Sequence, residues 1–272
     1  MPNFVTCSIV LYKQKPTLIA QLTDAIVKSN IISTLYLIDN SPTKALQVLA
    51  THPKIEYIFN DANLGYGAGH NIALKKALNQ SRYHIVLNPD VIFEPGAFEK
   101  MYAYMEANPE VGHLMPKIRY PNGTLQYACK LLPTPMDLIF RRFLPAPFTK
   151  NRTAYFEMHE SGYDKIMEVP YLSGCCMFLR LEALQKVGLF DEHFFMYPED
   201  IDLTRRIHKQ YKTVFYPYAQ ITHVHERGSY KSAKLLLVHI VNMIKYFNKW
   251  GWLFDKERKQ VNKKIRSQYT GH

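Results

Sequence analysis

Short apolar runs alternate with segments of helical spacing through the first half of the chain. The runs at residues 4–11, 34–38, 55–59 and 84–87 predict strands, and residues 16–28, 66–78 and 95–107 predict helices. Strands that alternate with helices of this length form βαβ units, so the pattern predicts an α/β fold with a mainly parallel sheet flanked by helices. Ligands of such sheets bind beyond the carboxyl ends of the strands.

The regular alternation of predicted strands and helices ends after Val111. Residues 131–152 carry four prolines, which predicts a loop or a short surface helix. The later pattern predicts an apolar segment at 172–179, a helix at 181–187, short strands at 213–216 and 220–224, and a helix at 235–247 that ends before Gly251. The chain is therefore expected to finish in a helical extension.

The compartment is predicted from what the sequence lacks. No run of about 18 apolar residues occurs, and the N-terminus has no basic region followed by an apolar stretch. The four cysteines show no metal-site or C-x-x-C spacing, so we expect them to be reduced packing residues. We therefore expect a cytoplasmic protein.

The positive charge lies at the C-terminal end. From Arg205 onwards the chain has 15 basic and 3 acidic residues, a net of +12, whereas the whole chain carries +11. Aromatic residues interleave with this basic segment. Such a segment fits an anionic membrane surface, nucleic acid or a merely solvated face, and these alternatives stay open.

Three carboxylates, Glu199, Asp200 and Asp202, fall within four residues at a predicted helix start after Pro198. Acidic side chains are favoured there by the exposed amides and the helix dipole, so a simple cap is one interpretation. The other is a cluster that holds one proton acceptor.

Polar residues also follow the predicted strands. Residues 63–71 carry three glycines at alternate positions, which either bring the backbone close to a ligand or pack a helix on the sheet. Their G-x-G-x-G spacing counts against a nicotinamide site. Asp39 either accepts from a bound nucleoside or makes an Asx-turn, and Asp90 either helps to bind a divalent ion or belongs to a turn.

In this order the segments resemble the family 2 glycosyltransferases, which have the GT-A fold, and among them the bacterial rhamnosyltransferases of surface-polysaccharide assembly. The resemblance runs from about Phe4 to Trp252. It is carried by residues 8–12, Asp39-Asn40-Ser41, residues 63–71, Leu87-Asn88-Pro89-Asp90, Tyr171-Leu172-Ser173-Gly174 and Glu199-Asp200-Ile201-Asp202-Leu203. Asn88 departs from the pattern, because many relatives carry the first aspartate of D-x-D there.

The resemblance implies a catalytic domain over residues 1–228, with a nucleotide-sugar half (1–110) and an acceptor half (111–228), followed by a basic amphipathic helical segment (229–272). It implies an inverting glycosyltransferase in which Asp200 is the general base, supported by Glu199, Asp202 and Arg205. The implied nucleotide-binding residues are Val10, Tyr12, Asp39, Asn63, Gly65, Tyr66, Gly67, Asn71 and Asn88. Asp90 and His223 are the implied ligands of Mg²⁺ or Mn²⁺, with His225 as the alternative, and Ser173 and Gly174 the implied acceptor contacts.

The implied donor is dTDP-rhamnose and the implied acceptor a saccharide on a polyprenyl diphosphate, in O-antigen or capsule synthesis. The protein would then sit on the inner face of the cytoplasmic membrane. The expected contacts are the basic helix with Tyr246, Phe247, Trp250 and Trp252, and a second patch at Arg141 and Arg142. A homo-oligomer is left open, and no nucleic-acid partner is expected. The alternatives are a UDP-hexose donor, or a non-catalytic protein that binds nucleotides or nucleic acid.

Overall fold

The structure is a computed structural model that describes residues 5–140, 144, 146–224 and 233–269. The helices are Pro16–Lys28 (α1), Tyr66–Ala77 (α2), Ala97–Ala107 (α3), Ala146–Phe156 (α4), Leu181–Val187 (α5), Glu199–His208 (α6), Ala233–Trp250 (α7) and Lys256–Ser267 (α8). The strands are Val5–Leu11 (β1), Ile32–Asp39 (β2), Ile55–Phe59 (β3), Tyr83–Leu87 (β4), Val91–Phe93 (β5), Val111–Arg119 (β6), Cys129–Lys130 (β7), Met167–Glu168 (β8), Tyr171–Leu172 (β9), Cys176–Arg180 (β10) and Lys212–His223 (β11).

Within these residues, nine strands form one sheet. Its order is β3-β2-β1-β4-β10-β6-β11-β5, and β8 pairs with β11. The first four strands are mutually parallel, β10 runs antiparallel to both of its neighbours, and β11 runs parallel to β6. The predicted α/β fold with a mainly parallel sheet is confirmed. The carboxyl ends of β1, β2 and β4 therefore meet at one edge.

The core explains why the early strands were readable from the sequence. The whole of β4 is buried, and so is β1 apart from the half-buried Val10. A strand covered on both faces is mostly apolar, so β1 and β4 show up as apolar runs, and their polar members Thr6, Ser8 and His84 bond one another inside the core. The predicted bounds of β3 and α1 agree with the structure residue for residue.

Strand β6 lies where the sequence predicted no element. His113 and Pro116 interrupt its apolar run, yet His113 is fully buried. Pro116 pairs opposite Tyr216, beside an irregularity in β11 between Tyr216 and Gln220. That irregularity contains Pro217, which lacks an N–H for the ladder, and it explains why β11 was predicted as two short strands.

The helical extension is confirmed for residues 233–269, and the predicted domain boundary at residues 228 and 229 falls outside the described residues. Helix α7 ends before Gly251, whose φ of +98° suits a residue without a side chain. Asp255 then caps α8 by accepting from the Arg258 N–H at 2.9 Å. Among the described helices, none has both the length and the apolar character that a bilayer crossing requires.

Candidate active site

Asp200 is the second residue of α6 and is partly buried. Its Oδ2 accepts from the Gly174 N–H at 3.0 Å, and its Oδ1 accepts from the Ile201 N–H at 2.8 Å. Burial raises the pKa of Asp200, whereas the Gly174 N–H and the charge of Lys130 lower it, and the net direction is upward. Asp200 is therefore a stronger base than an exposed aspartate, held in a fixed orientation.

Glu199 lies beside Asp200 and is 5% exposed. Within the part of the chain that the structure describes, its Oε2 has no hydrogen-bond partner. Burial and the charge of Asp200 both raise the pKa of Glu199. Two adjacent carboxylates ionise together only at a cost, and the cost is largest for Glu199, the more deeply buried of the two, whose pKa is raised to about 8.

Asp202 and Arg205 lie on the other face of α6, turned towards the C-terminal helices. Asp202 is fully buried and accepts from Arg206 at 2.8 Å, from Lys249 at 2.7 Å and from the Trp250 indole at 2.9 Å. Arg205 is 2% exposed and pairs with Asp255 at 2.8 Å and Glu257 at 2.9 Å. The structure does not bring these two expected supporting residues to Asp200. They hold α6 against α7 and α8.

The glycine-rich segment packs tightly against residues 190–195. A Cβ on Gly65 would lie 2.2 Å from the Phe195 carbonyl oxygen, and the φ of Gly65 is +88°. A Cβ on Gly67 would lie 3.0 Å from Phe190, and one on Gly69 would lie 2.8 Å from Val10. The glycines therefore allow close protein packing: Gly69 packs α2 on the sheet at β1, as the second interpretation held, whereas Gly65 and Gly67 pack against the loop at residues 190–195.

Side chains from the same segment complete this packing. Asn63 accepts from the Gly65 N–H at 3.1 Å, which shapes the turn. Asn71 exchanges hydrogen bonds with the backbone of Phe190 at 2.9 and 3.0 Å. The Tyr66 hydroxyl donates to the Gly174 carbonyl at 2.6 Å, and burial together with Glu199 raises its pKa well above the ordinary value. Tyr66 is thus the member of the segment that faces Gly174 and Glu199.

A second cluster of polar side chains lies at the ends of β1 and β2. Asp39 is fully buried, and its two oxygens accept from the Ser41 N–H at 2.8 Å and the Tyr57 hydroxyl at 2.6 Å. A ligand hydroxyl would have to share an Asp39 oxygen with one of these donors. Tyr12 follows β1 and is 43% exposed, so its ring is open to a ligand.

Asp90 and His223 meet at the other end of the site. His223 Nε2 lies 3.3 Å from Asp90 Oδ1 and 3.2 Å from Asn88 Nδ2, while its Nδ1 lies 2.9 Å from Gln126 Oε1. Burial lowers the pKa of His223, but Cys175 and Asp90 raise it further than burial lowers it. The alternative ligand His225 lies outside the described residues.

This pair fits a divalent ion. With its Nδ1–H donated to Gln126, His223 presents Nε2 to Asp90, and a bound ion would take the place of the Nε2 proton; proteins orient histidine ligands in this way. The 3.3 Å separation suits neighbouring ligands of one ion with bonds of about 2.1 Å. Within the described chain no set of three or more His, Cys, Asp or Glu side chains converges, so the remaining ligands would come from a bound diphosphate and water.

Residues 173–175 connect these groups. Gly174 contacts both Asp200 and Tyr66, and the Cys175 carbonyl accepts from the Asn88 N–H at 2.9 Å. A Cβ on Gly174 would approach the Asp200 Cβ to 3.0 Å. Ser173 is half-buried beside them. The predicted base, metal pair and acceptor loop therefore form one continuous site.

Sequence reasoning missed four residues that shape this site: Tyr57, Gln126, Lys130 and Cys175. Each acts through a partner far away in the chain, so the spacing of its neighbours does not indicate its role. Lys130 alone stands out in the sequence, as a single cation in an apolar stretch, but its partner does not.

The fold has counterparts among solved structures. The structure of GalNAc-T7 with UDP, GalNAc and Mn²⁺ superposes with a TM-score of 0.62 at 15% identity, covering 82% of this chain and 43% of that one. The chain thus spans less than half of that protein. The likeness defines the fold as the GT-A fold of glycosyltransferases.

Sequence comparison gives the family. The model of glycosyltransferase-like family 2 matches residues 2–239, and the chain belongs to that family. It is 30% identical over 218 residues to the N-acetylglucosaminyl-diphospho-decaprenol L-rhamnosyltransferase of Mycobacterium tuberculosis, covering 74% of this chain and 68% of the relative. It is 27% identical over 178 residues to the rhamnosyltransferase WbbL of Escherichia coli, covering 62% and 64%.

Proposed function

We propose that this protein is an inverting glycosyltransferase that moves a sugar from a nucleoside diphosphate sugar to a hydroxyl of a saccharide acceptor. The observation that carries the proposal is the position of Asp200, a partly buried carboxylate of raised pKa beside the Gly174 loop. Through that loop Asp200 is joined to Asp90 and His223. Glycosyl transfer needs a base for the acceptor hydroxyl and a positive charge beside the leaving diphosphate. Asp200 would supply the base, and a divalent ion held by Asp90 and His223 would supply the charge.

The reaction is a single displacement. Asp200 takes the proton of the acceptor hydroxyl as that oxygen forms a bond to the donor C1. The bond between C1 and the diphosphate oxygen breaks on the opposite face, so the configuration at C1 inverts. The hydrogen bonds from Gly174 and Ile201 keep the carboxylate in position during the transfer.

The nucleoside is assigned to the ends of β1 and β2. Tyr12 would cover the base, and Asp39 would receive a base or ribose donor while Ser41 and Tyr57 hold its carboxylate in place. Asp90 and His223 would hold Mg²⁺ or Mn²⁺. That ion would neutralise the charge that develops on the leaving diphosphate.

We propose L-rhamnose, from dTDP-rhamnose, as the sugar and a polyprenyl-diphosphate-linked saccharide as the acceptor. The support is the name of the Mycobacterium tuberculosis relative, which joins L-rhamnose to a diphospho-decaprenol acceptor. Such an acceptor would place the enzyme at the inner face of the cytoplasmic membrane, in surface-polysaccharide synthesis. The second candidate is a UDP-hexose donor, which the UDP-bound structure of the same fold favours.

The test is a panel of nucleotide sugars offered with a lipid-linked saccharide and Mg²⁺ or Mn²⁺, with the product identified by mass and by the configuration of the new linkage. We expect a deoxyhexose added with inversion from dTDP-rhamnose. A product formed only from a UDP-hexose selects the second candidate. A product with retained configuration contradicts the mechanism.

A further inference from the structure

The turn between α7 and α8 exposes three consecutive apolar residues. Trp252 is 38% exposed, Leu253 is 70% exposed and Phe254 is 91% exposed. An exposed aromatic and leucine pair at the tip of a turn has a cost in water, and contiguous apolar surface of this kind marks an interaction site. We call these three residues the apolar tip.

A groove of about 1140 Å³ opens beside the apolar tip, between residues 131–137, α4 and α8. Its floor is formed by Leu131, Leu132 and Phe156, which are buried. Its rim adds the exposed Met136, and the exposed Phe148 lies one helical turn from the groove-lining Asn151 and Arg152 on α4. The apolar surface therefore continues from the tip along both sides of the groove.

The groove is also basic, since five basic side chains and one acidic side chain line it, and one of the five, Arg266, pairs with Glu160 at 3.3 Å. They are Arg152, Arg258, Lys259, Lys263 and Arg266, with Asp137. Asp137 pairs with Arg152 at 2.8 Å, and Arg258 is buried against backbone carbonyls. Lys259 and Lys263 are exposed, and Lys256 lies one turn earlier on α8, beside Phe254. A row of three lysines thus borders the apolar tip.

We propose that the apolar tip, the groove rim and this lysine row form a docking face for a membrane surface that carries anionic phospholipid. Leu253, Phe254 and Phe148 enter the boundary between headgroups and acyl chains, while the lysines meet the phosphates. Cations around protruding aromatic and leucine side chains are the chemistry of interfacial membrane binding. A nucleic-acid duplex would use the cations but leave the apolar tip in water.

The face differs from the one expected from the sequence. Tyr246 and Phe247 are fully buried, so the expectation that they contact lipid is wrong. Trp250 is held by Asp202 and stacks on Arg205, with 4.1 Å between the guanidinium carbon and the ring centroid. Arg141 and Arg142, the expected second patch, lie outside the described residues.

The docking face begins next in the chain to a residue that acts on the proposed base, Asp200. Lys130, whose charge acts on Asp200, is followed directly by the groove floor at Leu131 and Leu132. The side chain of Asn262 on α8 bonds both backbone groups of Leu132, at 2.8 and 2.9 Å. If the acceptor is lipid-linked, as the proposed function holds, docking through this face brings Asp200 near the membrane that presents it.

The test is co-sedimentation with vesicles of phosphatidylcholine plus phosphatidylglycerol, and of phosphatidylcholine alone, at low and high salt. We expect binding to the anionic vesicles that weakens with salt. Leu253→Ser with Phe254→Ser, and separately Lys259→Glu with Lys263→Glu, should each weaken binding by about tenfold or more. Leu18→Ser on α1 and Lys100→Glu on α3 are single-substitution controls at exposed positions away from the docking face, and they should bind like the wild type.

Equal binding by the tip variant and the wild type would overturn the inference, as would absence of binding to anionic vesicles at low salt. Loss of self-association without loss of vesicle binding in the tip variant would also overturn it, because the face would then bind a second copy of the chain. Preference of the wild type for an oligonucleotide over vesicles would overturn it as well. Sugar transfer to a water-soluble acceptor separates the two proposals, because the tip variant should retain it. If the wild type transfers sugar to the soluble acceptor but does not bind vesicles, only the docking face is contradicted. If it binds vesicles but does not transfer sugar, only the proposed function is contradicted.

Discussion

At Asp200, burial and hydrogen bonding act on the carboxylate in opposite directions. Burial raises the pKa, and the Gly174 N–H and the positive charge of Lys130 hold it down. A general base works best when its pKa lies nearer the working pH than that of an exposed aspartate. Burial gives Asp200 such a raised pKa. Because the charge of Lys130 lowers that pKa, removing the charge tests the role of Asp200.

The first prediction concerns pH. The base form of Asp200 is present above its raised pKa, so the transfer rate should fall as the pH drops through that value, at a higher pH than for an ordinary aspartate. In Lys130→Met the lowering influence is removed, and the acid limb of the rate profile should move to higher pH. Lys100→Met, an exposed lysine on α3, is the control. An acid limb that stays in place in Lys130→Met would contradict the proposed role of Asp200.

The second prediction concerns the metal pair. Asp90→Asn keeps the shape of the residue but removes the negative charge beside His223. We expect the Mn²⁺ concentration needed for half-maximal transfer to rise about 10- to 100-fold, with a matching loss of Mn²⁺ affinity in titrations that include the nucleoside diphosphate. Asp24→Asn on the exposed face of α1 is the control. Unchanged Mn²⁺ affinity in Asp90→Asn would exclude Asp90 as a ligand.

Helix α6 has two faces with different tasks. Asp200 points to the Gly174 loop, whereas Asp202 and Arg205 bind α7 and the start of α8. The spacing of these residues along one helix predicted a shared cluster. Side chains two residues apart on a helix point in different directions, so the sequence could group the carboxylates without showing which one faces the site.

A prediction follows for the contact between α6 and α7. Trp250→Phe keeps an aromatic ring on Arg205 but removes the indole donor to the buried Asp202. We expect a loss of about 1 kcal/mol in the free energy of unfolding, with kcat lowered more than KM is raised, because the helix that carries Asp200 shifts. Thermal unfolding and steady-state kinetics measure both. Trp252→Phe, whose indole bonds the exposed Asn248, should change neither by a comparable amount.

The helices and strands that could be predicted from the sequence are those with a clear local pattern of apolar or charged residues. Strand β4 is apolar apart from His84, and α6 begins with a marked charge pattern. Strand β6 was not found, because its His113 and Pro116 are accommodated by partners that are distant in the chain. The glycines at residues 65–69 were recognised as close-approach positions, but the protein atoms beside them come from Val10, Phe190 and Phe195, which lie far away in the chain.

Across the whole molecule, the site is assembled from both halves of the chain. The first half supplies Asp39 and Asp90, the second supplies Gly174, Asp200 and His223, and residues 173–175 bond to members of both. The family resemblance proposed the candidate residues from their order along the chain, and the structure brings Asp90, Gly174, Asp200 and His223 into one site but not Asp202 and Arg205. The contacts among them could not be predicted, since each depends on the packing of strands that are far apart in the sequence.

The role of Asp200 as the base of an inverting transfer is tested by Asp200→Asn, measured for both turnover and donor binding. The substitution keeps size and shape but cannot accept the proton. We predict that kcat falls by about 10²–10⁴-fold while the affinity for the nucleotide sugar stays within about twofold of the wild type. Turnover close to that of the wild type, with donor binding unchanged, would contradict the account.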